Sequence, residues 1–387
     1  MFSKTFNDAA GAPAYRDRTR GLWFMSMLYP IAPGLIILAA LFWATPAVFY
    51  LGLFALDHLV GRRTTNPPED VIAEMNEDRF YRWMVYLAVP GHFITLLLGV
   101  WAFTSGLYPV WTLVGLVWSV GIISGLAINT GHELGHKQTT AERWMAKIVL
   151  AMPGYGHFFI EHNKGHHRDV ATPDDPASSR MGESFYRFAL TREIPLTMKR
   201  AWRIEAERLQ RKGVAVWSLE NDIVQSGLIT VVLYGTLIAV FGWLAAPFLL
   251  LQAVLGYLLL SQANYVEHYG LCRKRAADGR FERPQPHHSW NTDHLISNLV
   301  LFHLQRHSDH HANPTRRYQA LRSFADVPHL PSGYPGMFMA CLIPPLWRRI
   351  MDKRVAEIYG HDLTQANVDP ALRDELFSRW HAPKYAG

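Results

Sequence analysis

Six apolar segments, near residues 22–43, 46–60, 83–104, 110–130, 226–246 and 247–266, divide this chain of 387 residues. Each approaches the length of roughly 20 residues that a helix needs to cross a bilayer. The second is short, and either tilts or extends toward Asp57 and His58. Uncharged turns at Thr45-Pro46 and Ala246-Pro247 join the first pair and the last pair into helical hairpins. The pattern predicts an all-α integral membrane protein of six transmembrane helices with a helical cytoplasmic cap, forming a single membrane domain. Its parts are a cytoplasmic N-terminus over 1–20, four spans over about 22–130, and a cap over 131–225. Two spans follow over 226–266, then a cytoplasmic C-terminal region over 267–387.

Charge orients these spans. Lys4, Arg16, Arg18 and Arg20 precede the first, and Arg62, Arg63, Arg79 and Arg82 lie between the second and third. The connections near 45, 106 and 246 carry no charge. By the positive-inside rule both termini and every histidine cluster face the cytoplasm. The formal net charge of +6 reads as contact with anionic lipid headgroups, and no motif supports nucleic-acid binding. Two cysteines, Cys272 and Cys341, exclude a disulfide framework, a cysteine-rich zinc module and an iron–sulfur cluster within the chain. The polar first 20 residues do not resemble a cleavable signal, so the first span is expected to remain as an anchor. Cap helices should break at Pro153-Gly154, at the Thr172–Pro176 turn and at Lys212-Gly213. The run from Pro331 to Trp347 is too rich in proline for a span and is expected on the membrane surface. The tail should be helical from Asp352 and loose after Ala382.

Histidine carries the chemistry. Nine of the 19 histidines stand in four clusters, GHELGHK (His132, His136), EHNKGHH (His162, His166, His167), VEHYG (His268) and LQRHSDHH (His307, His310, His311). Histidine is the commonest metal ligand, and residues four apart on a helix share a face. Nine imidazoles exceed what one ion takes, so the clusters point to a polynuclear site at the membrane surface. His58, His92, His157, His287, His288, His294, His303, His329, His361 and His381 read as ordinary surface residues. His132-Glu133-Leu134-Gly135-His136 matches the HExxH pattern of zinc proteases, but such a site needs three protein ligands and leaves the other clusters unexplained. A soluble di-iron carboxylate bundle would need a second Glu-x-x-His beside Glu133–His136, and none is present. Imidazole suits zinc, copper, iron and nickel alike, so spacing does not choose the metal. Neutral ligands leave a cation's charge uncompensated, which singles out Glu133, Glu161, Glu267 and Asp309, some of which are expected to partner the ligating rings. Trp118, Gly121, Gly125 and Asn129 lie on about the same face of the fourth span as His132. A lipid-accessible groove or close helix packing would each use such residues.

GHELGHK, EHNKGHH, NYVEHYG and LQRHSDHH together resemble the integral-membrane alkane 1-monooxygenases over roughly residues 20–350. The three general boxes are shared with membrane fatty-acid desaturases and hydroxylases; the Asn264–Gly270 segment resembles the hydroxylase branch, with xylene monooxygenases close by. The resemblance implies two non-haem irons held by His132, His136, His162, His166, His167, His268, His307, His310 and His311. It implies hydroxylation of the terminal methyl of medium- or long-chain n-alkanes to 1-alkanols with O2. It also implies rubredoxin as electron donor, itself reduced by a flavoprotein rubredoxin reductase. The chain has no Rossmann glycine motif to take electrons from a nicotinamide unaided. Arg273, Lys274 and Arg275, with Arg348, Arg349, Lys353 and Arg354, form the expected docking face or touch lipid. An alkane offers only shape, so the channel is sought among Trp118, Gly121, Gly125, Leu126, Asn129 and Phe49, where Gly125→Phe should shorten the accepted chain. A desaturase, a xylene-type methyl hydroxylase, an intramembrane zinc protease and a non-catalytic metal-binding protein are the alternatives.

Overall fold

Residues 4–7 and 13–381 are described by a computed structural model of the chain; the loose end expected after Ala382 lies outside them. Four helices, Arg79–Thr104, Val110–Gly135, Asp222–Phe241 and Ala245–His268, are long and apolar enough to cross a membrane. They correspond to the last four apolar segments of the sequence. The first segment is instead bent by 42° between Arg20–Leu28 and Pro30–Leu38. Pro30 has no N–H to donate and its ring crowds the preceding turn, which is the usual cause of a sharp kink. The second forms the shorter Ala44–Val60 helix, widened by a π-helical turn over Val48–Gly52. Length and composition thus support four spans among the described residues, or five with the bent pair counted as one, against the six expected.

Polar caps set where the spans begin. Asp78 accepts the N–H of Phe80 at 2.9 Å, and Asn221 accepts those of Ile223 and Val224, each satisfying N–H groups that the first turn leaves free. The Val110–Gly135 helix is the hub, buried almost continuously from Gly115 to Leu134. Its chief neighbour is Ala245–His268. A Cβ at Gly125 would stand 2.6 Å from Leu259, and one at Gly121 would overlap Leu255. These glycines therefore bring two spans into contact rather than opening a groove. Asp222–Phe241 lies outermost and exposes Leu228, Val231, Val232 and Val240, side chains suited to lipid.

The cap helices Thr140–Ala151, 158–169 and Ile194–Arg211 end where the sequence predicts breaks. Three expectations are corrected. The chain is not purely helical, because Lys4–Asn7 pairs antiparallel with Pro13–Asp17 in a two-stranded sheet. The Pro331–Trp347 run does not lie wholly on the protein surface: its Tyr334–Cys341 helix buries Tyr334, Met337, Phe338 and Cys341, and Tyr334 Oη donates to Glu267 of the last span at 2.8 Å, while Ile343 and Leu346 are exposed. Five of the ten histidines read as surface residues, His92, His157, His288, His294 and His303, are buried. Four of these satisfy a ring nitrogen internally, as His303 Nδ1 does with the Tyr318 carbonyl at 2.9 Å and His92 Nε2 with Thr130 Oγ1 at 3.0 Å.

Candidate metal centre

All nine clustered histidines converge beneath the cap, and they divide into two groups. His132, His136, His162, His167 and His310 form one, and His166, His268, His307 and His311 the other, with the ring nitrogens of each group within 4.8 Å of one another. His132 and His136 leave the end of the hub helix one turn apart, and His307 and His311 do the same on His307–Ala312. Those pairs follow the four-residue rule. The EHNKGHH cluster does not. A π-helical turn occupies His162–His166, closed by the His167 N–H on the His162 carbonyl. The wide turn returns residue i+5 over His162, so His162 and His167 meet at 3.1 Å while His166 swings into the other group. His310 likewise leaves its helix-mates and stands 2.8 Å from His132 and 3.1 Å from His167. In the second group His307 lies 3.2 Å from His268 and 2.9 Å from His311.

The donor set suits metal ions. His136 Nε2 and His166 Nε2 are buried without any protein hydrogen-bond partner, a cost that a bound cation removes. Burial first, and then the crowding of neighbouring imidazoles, holds His136, His162, His167, His307, His310 and His311 well below their ordinary value. They are neutral at pH 7, with lone pairs available to a metal. His166 differs: burial opposes its charge, but Asp175 outweighs burial and raises it.

Of the four acids singled out, Glu267 reaches an imidazole, with Oε2 3.3 Å from His307 Nε2. Glu133 instead pairs with Lys137 Nζ at 3.0 Å and accepts the N–H of Tyr318. Glu161 is held by Arg200. Asp309 takes Arg316 at 2.9 Å and the N–H of Arg322. Among the described residues Glu133, Glu161 and Asp309 contact no ligating ring, because a cation occupies each carboxylate: Lys137 four residues on, Arg200 from the Ile194–Arg211 helix and Arg316 seven residues on. The missed acid is Asp175. Its Oδ2 accepts His166 Nδ1 at 2.9 Å and Ser178 Oγ at 2.7 Å, and Oδ1 takes Arg200 at 2.8 Å. Binding at Nδ1 points the other nitrogen, Nε2, into the group. The only sequence signal was an acidic turn, Asp174-Asp175-Pro176, shortly after the cluster.

The channel residues separate. Asn129 lines a small pocket of about 20 Å³ shared by His132, His162, Glu267 and His307, so both groups border it. Phe49 and Leu126 line an almost wholly apolar cavity of about 200 Å³ with Leu28, Ile36 and Val300. Trp118 borders a third cavity of about 170 Å³ with Tyr50, Leu258 and Gln262. Gly121 and Gly125 line none of the three. Of the expected docking cations Arg273 is buried, holding the carbonyls of Glu282 and Arg168. Arg348 pairs with Glu375 and Lys353 with Glu357.

The fatty acid desaturase family matches residues 105–340, from the hub helix through the last histidine cluster. Alkane 1-monooxygenase 1 of Alcanivorax borkumensis is 51% identical over 367 residues, 93% of this chain and 91% of its own. Alkane 1-monooxygenase of Ectopseudomonas oleovorans is 50% identical over 378 residues, 95% of this chain and 94% of its own. The hydroxylase component of the xylene/toluene monooxygenase of Pseudomonas putida is more distant, at 30% over 247 residues, 62% of this chain and 63% of its own. Two histidine groups at the ends of apolar helices, and identity near one half along almost the whole length, assign the chain to the alkane 1-monooxygenase family.

Proposed function

We propose that this chain hydroxylates the terminal methyl of n-alkanes to 1-alkanols with O2, at two irons held by the five-histidine and four-histidine groups. The observation that carries the reading is the pairing of these groups around one small pocket, in a chain half identical to alkane 1-monooxygenases. Iron bound there supplies dioxygen activation and the insertion of one oxygen atom into a C–H bond, the other leaving as water. The chain's own residues place the substrate. The apolar cavity of Phe49 and Leu126 takes the hydrocarbon tail, and the pocket at Asn129, one helical turn further along, takes the reacting methyl. Lipid already dissolves an alkane, so selection among chain lengths rests on the shape of these walls rather than on burial. Asn129 is held by its own bond to the Leu301 carbonyl at 3.0 Å.

Electrons come from rubredoxin in this reading, which docks on the exposed Lys274, Arg275 and Arg349 on the cytoplasmic side. The loop charges support an inner-membrane orientation with both termini and the centre cytoplasmic. The bent first segment and the Ala44–Val60 helix supply the remaining two of six spans. The rival reading of HExxH as a zinc protease loses its base, since Glu133 is tied to Lys137. Metal content of detergent-purified protein, followed by turnover of dodecane under 18-O2 with a rubredoxin system, is the test. Near two irons per chain and one labelled oxygen in the alkanol are expected. An unlabelled alkene product would move the chain to desaturation, and zinc without iron would overturn the reading.

A further inference from the structure

The cap holds a second cavity that the histidine centre does not use. It measures about 320 Å³, and Arg180, Arg192, Lys199, Arg200 and Arg203 line it against the single carboxylate of Asp174. It lies between the Thr172–Pro176 turn and the Ile194–Arg211 helix. Two of the cations are committed inward: Arg192 to Glu183 at 2.8 Å and to the Ser178 carbonyl, and Arg200 to Glu161 and Asp175. Arg180, Lys199 and Arg203 make no side-chain hydrogen bond or ion pair among the described residues. Like charges gathered around one concavity repel each other until an anion enters it. Burial, and then Arg192, push the Arg180 guanidinium below its ordinary value, a strain that an anion relieves.

The apolar border tells where the anion comes from. Leu196 lines the cavity itself, and Leu190 and Met198 on the same segment are exposed. Trp202 of the cap helix packs at a tilt against Trp217, with ring centroids 4.7 Å apart. Trp217 and Leu219, both exposed, immediately precede the cap of the Asp222–Phe241 span. Tyr186 and Leu190 share a cavity wall with Trp118 and Leu258 of the spanning helices. Aromatic and apolar residues at the end of a span mark the depth of the headgroups. An acidic protein approaching from water would answer the charges and leave this border uncovered. We propose that the cavity is a binding site for the phosphate of an anionic phospholipid, seated by Arg180, Lys199 and Arg203 with its acyl chains along Leu190 and Leu196.

Native mass spectrometry of the full chain in neutral detergent, titrated with dioctanoyl phosphatidylglycerol, tests this. The unaltered chain is expected to retain one such lipid at low molar excess and to prefer it to dioctanoyl phosphatidylcholine. The variant Arg180→Gln/Lys199→Gln/Arg203→Gln should bind it roughly tenfold or more weakly. A control losing the same charge at exposed positions elsewhere, Arg18→Gln/Arg211→Gln/Arg283→Gln, should bind as the unaltered chain does. Equal retention in all three proteins overturns the site, as does displacement by inorganic phosphate at equal concentration. Unchanged lipid retention with a raised KM for rubredoxin in the first variant would assign the cavity to an acidic protein instead. Lys199→Gln/Arg203→Gln, which keeps the half-buried Arg180, guards against misfolding. At unchanged metal content, weaker lipid binding in that variant supports the site and unaltered binding overturns it.

Discussion

The two histidine groups share the 158–169 segment and the His307–Ala312 helix, yet one draws on the Val110–Gly135 span and the other on Ala245–His268, and they keep different company. The five-membered group is all imidazole: among the described residues no carboxylate contacts its rings. The four-membered group has one ring fewer and two acids, Asp175 on His166 and Glu267 beside His307. A cation in the first group is met only by neutral donors, whereas in the second part of its charge is offset nearby. The pair is therefore asymmetric, and each side answers to a different kind of substitution.

The largest effect should come from removing a ring. His136→Ala and His311→Ala should each lose roughly half of the bound metal and abolish alkanol formation, read as metal per chain by mass spectrometry. Loss of all metal from either variant would break the comparison, since the two groups would then behave as one site. Next in size is Asp309→Ala, which removes the buried carboxylate that holds Arg316 and the Arg322 N–H and leaves Arg316 only its exposed partner Glu69. Losing the hydrogen bonds of such a charged acceptor costs about 1.5–3 kcal/mol, so melting temperature should fall. Any loss of metal should fall equally on both groups, because Asp309 touches neither. Selective depletion of the five-membered group, to which His310 belongs, would restore the idea that Asp309 orients a ring.

Asp175→Asn is expected to sharpen the contrast. The substitution removes the charged acceptor of His166 and should weaken metal binding in the four-membered group by about 10–100-fold, leaving the five-membered group intact. Chelator competition monitored by Mössbauer spectroscopy separates the two populations, and equal weakening of both would refute the asymmetry. The smallest change is confined to substrate. Leu126→Phe fills part of the apolar cavity and should cut turnover of the longest accepted alkanes by roughly tenfold, while Phe49→Ala should extend the accepted length. Both follow from steric differences of about 1–3 kcal/mol. An unchanged product profile across chain lengths would remove that cavity from the path.

How far the sequence reaches is visible in particular residues. Four-residue spacing was enough to pair His132 with His136 and His307 with His311, because an α-helix brings those positions back to one face whatever surrounds it. The same rule would pair His162 with His166, and the π turn pairs His162 with His167 instead. Gly121 and Gly125 illustrate a second limit, since a glycine that opens a groove and one that seats a neighbouring leucine are identical in sequence. Glu133, Glu161 and Asp309 adjoin the ligating positions along the chain, but Lys137, Arg200 and Arg316 claim them in space.

What the sequence by itself determined is the local and additive part: apolar stretches suited to a membrane, the nine imidazoles, and the places where cap helices break. These follow from composition and from periodicities of a few residues. Only the tertiary structure decided how the imidazoles divide, that Asp175 orients His166, and that the Tyr334–Cys341 helix packs against the last span. Each of those depends on which segments pack around a shared point, and a carboxylate or a ring can satisfy only the partners that packing delivers to it.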